Sequence, residues 1–92
     1  MKRTVHMPEA QLAYQAAATA LNLSFDIQQL RDLSELTHDI HDVMAVAVAM
    51  RVAVGALDAK PGQIARDALA KMVASEGLRV LRERSSRRTT GT

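Results

Sequence analysis

Between Leu33 and Leu57 apolar residues recur at Leu33, Leu36, Ile40, Val43, Ala47, Met50, Val54 and Leu57. The gaps alternate three and four, the seven-residue repeat of a helix packed along a seam. The pattern predicts one long central helix, with Leu30 and Ile27 carrying its start back to Phe25. In the first half Ser34, Glu35, Thr37, His38, Asp39, His41 and Asp42 fill the off-seam positions, so this half is amphipathic. The second half is not. From Val43 to Leu57 the one charge is Arg51, and the off-seam positions hold Met44, Ala45, Val46, Val48, Ala49, Val52, Ala53 and Ala56. A helix that is apolar all round has to be covered all round, and a chain of 92 residues has little left to cover it. The expectation is self-association, a homodimer first, in the manner of a coiled coil. Its interface is predicted at Leu36, Ile40, Val43, Val46, Ala47, Ala49, Met50, Ala53, Val54 and Leu57, with the small side chains allowing a second helix to come close. The alternation from Ala45 to Ala49 also fits a buried strand, but the heptad passes through it unbroken and no second strand is at hand to pair with it.

The flanking patterns are shorter. Residues 1–7 read as an extended arm, with Val5 and Met7 alternating against Thr4 and His6. Pro8 and Glu9 open a helix, since proline suits the first helical position and an acid there complements the dipole. That helix runs to about Leu21 on a stripe of Leu12, Ala13, Ala16, Ala17, Ala20 and Leu21, which leaves Tyr14 at a rim. After a break at Asn22–Ser24, Ser24 is the expected N-cap of the central helix, and Phe25 is expected to pack back on the first. Gly55 to Gly62 form the second break. A third main helix then begins at Pro61, buries Ile64, Ala65, Ala68, Leu69, Met72 and Val73, and stops at Gly77 in a left-handed conformation that folds Leu78 back onto Val73. Val80 and Leu81 add a turn. Residues 85–92 contain no apolar side chain and read as a disordered basic tail. The expected fold is therefore all-α: a small helical bundle of three main helices with one long central helix, completed by oligomerisation, in a single domain over 8–84.

Size supports the need for a partner, because a domain this small buries only about 60–65% of its unfolded surface. No cysteine is present to staple it. The N-terminus lacks the apolar run of a secretory signal, and the apolar stretch from Val43 is shorter than the roughly 20 residues of a membrane span. A cytoplasmic protein without membrane contact is expected. The net charge of +2 hides a division: residues 9–50 carry one arginine against six acids, residues 51–92 nine basic groups against four acids. Such asymmetry steers an acidic partner to the C-terminal half or docks one half on the other.

Candidate chemistry is sparse. His38, His41 and Asp42 share one helical face and make a metal-ligand candidate, yet one helix supplies too few ligands for a closed site; polar residues on a solvated face give the same pattern, and no metal or cofactor is assigned. The same acid-flanked imidazoles are alternatively a means of tuning association near pH 6. There is no cysteine nucleophile, phosphate-cradling glycine loop or spaced carboxylate pair, so the expected role is non-enzymatic. The reading is a small regulatory or adaptor protein that binds itself and another macromolecule, most simply a protein. Lys2 and Arg3, together with Arg79, Arg82, Arg84, Arg87 and Arg88, are candidate contacts to nucleic acid or an acidic partner. With two aromatics in the chain, duplex DNA suits these better than a stacked single strand.

The run from Pro61 to Val73, with Ile64, Arg66, Ala68 and Leu69 in an Ile-x-Arg-x-Ala-Leu pattern, resembles the second helix of ribbon-helix-helix repressors and antitoxins. Arg3 to Met7 as the ribbon, with Glu9–Leu21 and Phe25–Leu36 as the helices, also gives that family's order of elements. The resemblance implies a dimeric DNA-binding regulator that reads the major groove with paired strands, and it is kept as the alternative function.

Overall fold

The computed structural model describes residues 4–57 and 64–90, and the side chains of 88–90 lie outside that description. The described residues form four helices: α1 (Met7–Ala20), α2 (Ile27–Glu35), α3 (Ile40–Ala56) and α4 (Arg66–Thr90). The all-α expectation holds, and the single long central helix does not. It is two helices, α2 and α3, meeting at a corner over Leu36–Asp39.

The corner exists because polar side chains there bond to backbone groups that a continuous helix would use itself. The Thr37 hydroxyl donates to the Leu33 carbonyl at 2.7 Å, and Ser34 donates to Leu30 at 2.6 Å. Asp39 is extended and caps α3, its Oδ1 accepting from the Asp42 N–H at 3.0 Å. Asp42 reciprocates through Oδ2, accepting from the backbone N–H of Asp39 at 3.2 Å and of His38 at 2.7 Å. This is a capping box with aspartate at both ends. A second box starts α2, where Asp26, not Ser24, is the N-cap and exchanges bonds of 2.7 and 2.9 Å with Gln29.

α1 begins as predicted beside Pro8 and Glu9. It ends in the motif that the sequence places at Gly77: Asn22 is left-handed at φ 59°, its N–H reaches Thr19 at 2.9 Å, and the Leu23 N–H reaches Ala18 at 2.8 Å. Gly77, by contrast, sits inside α4. A methyl group built on it would lie 3.0 Å from Leu33 Cδ2 and 3.1 Å from Val46 Cγ1. The glycine lets three helices approach one another and does not end one of them. α4 continues to Thr90 through residues read from composition as a tail.

α4 packs most extensively on α3 and also touches α2, while α1 rests on α2 and α3. Its inward residues Ala70, Val73, Ala74, Gly77 and Leu81 make a seam of their own. At about 1.5 Å per residue this 25-residue helix sets the long axis of a 45 × 25 × 21 Å molecule. Tyr14, expected at a rim, is fully buried, and Phe25 is buried ahead of α2. Among the described residues there is no strand; the N-terminal segment contributes one isolated antiparallel bridge, Thr4 to Asp39 of the same chain. A ribbon over Arg3–Met7 is thus not formed by the described part, in which Met7 already belongs to α1. No described helix is long and apolar enough to cross a membrane.

A candidate interaction surface on the third helix

The residues expected to bury a partner helix divide into two groups. Val46 and Met50 are fully buried and Val43 nearly so, all inside this chain's own core. Leu36, Ile40, Ala47, Ala49, Ala53, Val54 and Leu57 are half-buried. Val43, Val46 and Met50 are thus taken up by this chain's own core, and Val46 and Met50 lie against Gly77 of α4. What stays uncovered is the opposite side of α3: Met44 is 60%, Val48 61% and Val52 64% exposed. Arg51, Gly55 and Ala56 are exposed beside them, and nothing approaches Gly55 within 4 Å of an added Cβ. Successive steps of four residues place Met44, Val48 and Val52 on one stripe. Sequence reasoning classed these three as off-seam; the signal was the all-round apolar character of the helix, which guarantees a greasy outer face once one side is filled.

Behind the start of α3 lies a buried polar knot. The Asp42 side chain is inaccessible to solvent and its Oδ1 accepts from Arg84 Nε at 2.7 Å, which fastens α4 to the corner. Asp42 thus faces inward while His38 and His41 are exposed, so the structure separates the three metal-ligand candidates. Among the described residues no group of three or more potential ligands converges. Tyr14 shares a short hydrogen bond with the Thr37 hydroxyl. Burial pushes its phenol up to about 12, and the nearby Asp42 charge adds to this while the Thr37 bond opposes it. Asp42, Tyr14 and Thr37 of the knot are buried while Arg84 is partly exposed, and the ion pair clasps α4 to the start of α3.

The arginine candidates are partly committed as well. Arg79 bonds to Glu76 and, at 2.9 Å, to Glu83, and the guanidinium holds the Glu76 carboxyl below its ordinary range. Arg84 answers Asp42, Arg82 and Arg87 are exposed, and Arg87 also has a partner within the chain. Lys2, Arg3 and the Arg88 side chain lie outside the described residues. Two adjoining shallow clefts of about 220 and 320 Å³ share Ser24 and Asp67 between the α1–α2 turn and α4. Arg66 and Lys71 line them together with Asp26 and Asp67, a balanced set that selects no ligand charge. Comparison with family models, with curated proteins and with solved structures gives no match.

Proposed function

We propose that the chain is a small non-enzymatic regulatory or adaptor protein that self-associates through α3 and acts by binding another macromolecule. The observation that carries this is the outward stripe of Met44, Val48 and Val52, each more than half exposed on a helix with one charge from Val43 to Leu57. Full burial of such side chains is worth about 1.5–3 kcal/mol each, so covering the exposed parts of three in both copies contributes roughly 6–10 kcal/mol. Association itself costs about 4–15 kcal/mol. The two are comparable, which suits a reversible dimer.

The alternative, a dimeric DNA-binding regulator using Lys2 and Arg3 or the C-terminal arginines, draws on α4, where residues 66–90 carry seven basic groups against three acids. It stands second because Arg79 and Arg84 already pair with acids of their own chain.

Light scattering over a concentration series tests the first reading. The mass should rise from that of one chain toward that of two, and Val48→Glu, which places a carboxylate in the centre of the stripe, should hold it at one. A mass fixed at one chain up to millimolar concentration removes the proposal.

A further inference from the structure

We draw no further inference here: the strongest candidate, the outward apolar stripe of α3 formed by Met44, Val48 and Val52, belongs to the surface already described, and nothing in the structure shows what covers it.

Discussion

Two glycines in helices, Gly77 in α4 and Gly55 in α3, should respond in opposite ways to the same change. Replacing an interior helical glycine by alanine gains about 0.8–1.0 kcal/mol through lower backbone entropy in the unfolded chain. At Gly77 the new methyl would lie 3.0 Å from Leu33 Cδ2 and 3.1 Å from Val46 Cγ1. Contact between carbons is optimal at about 3.5–4.0 Å, so both neighbours must withdraw by roughly half an ångström. Neither has room. Leu33 and Val46 are fully buried, and a valine in a helix is held to one χ1 rotamer. Overpacking of this kind costs about 1–3 kcal/mol, which exceeds the propensity gain. Gly77→Ala should therefore be destabilised by about 1 kcal/mol. Gly55 has nothing within 4 Å of the added atom, and being next to the end of α3 it should gain about 0.5 kcal/mol. Urea unfolding followed by far-UV circular dichroism, in dilute samples, measures the difference between the two variants, expected at about 1–2 kcal/mol. If Gly77→Ala shifts the midpoint upward as far as Gly55→Ala does, the close approach of α4 to α2 and α3 is wrong.

Two further outcomes concern the buried knot. Tyr14 is the one tyrosine in a chain without tryptophan, so the absorbance of its phenolate reads this side chain alone. With its phenol pushed from 10.0 to about 12 in the folded state, the folded chain keeps a proton that the unfolded chain loses. Stability should be unaffected below pH 10 and should fall between pH 10 and 12, by up to about 2–3 kcal/mol for a shift of this size. Titration near pH 10 with circular dichroism unchanged would show that Tyr14 is not enclosed. Arg84→Met should destabilise by about 2–4 kcal/mol, somewhat under the usual cost of orphaning a buried charge, because backbone N–H groups still support Asp42. Thermal unfolding within about half a kcal/mol of the parent would rule out the pair as the fastening of α4.

The helical class was legible because the period of three and four persists through most of the chain, and that same persistence concealed the corner. Leu33, Leu36 and Ile40 keep the repeat across a break in which Leu36 to Asp39 are not α-helical. The competing signal was present, an aspartate at position 39 with a second three residues later just ahead of an apolar run, but it is a weaker form of the serine or threonine box and sits inside a strong heptad. A polar residue off the seam reads as solvent-facing, yet Ser34, Thr37, Asp39 and Asp42 are all buried. They face inward because a tight turn between packed helices leaves backbone groups that only side chains can satisfy. The candidate surface depended on the same ambiguity at larger scale. An all-apolar helix does not reveal which of its sides the rest of the chain will take. That choice was made by α4, whose Gly77 is small enough to let its backbone settle against the side bearing Val46 and Met50. Once that side is taken, Met44, Val48 and Val52 face outward by geometry alone. A larger residue at Gly77 therefore acts on both levels, since it loosens the core and removes the contact that fixes which face of α3 is left exposed.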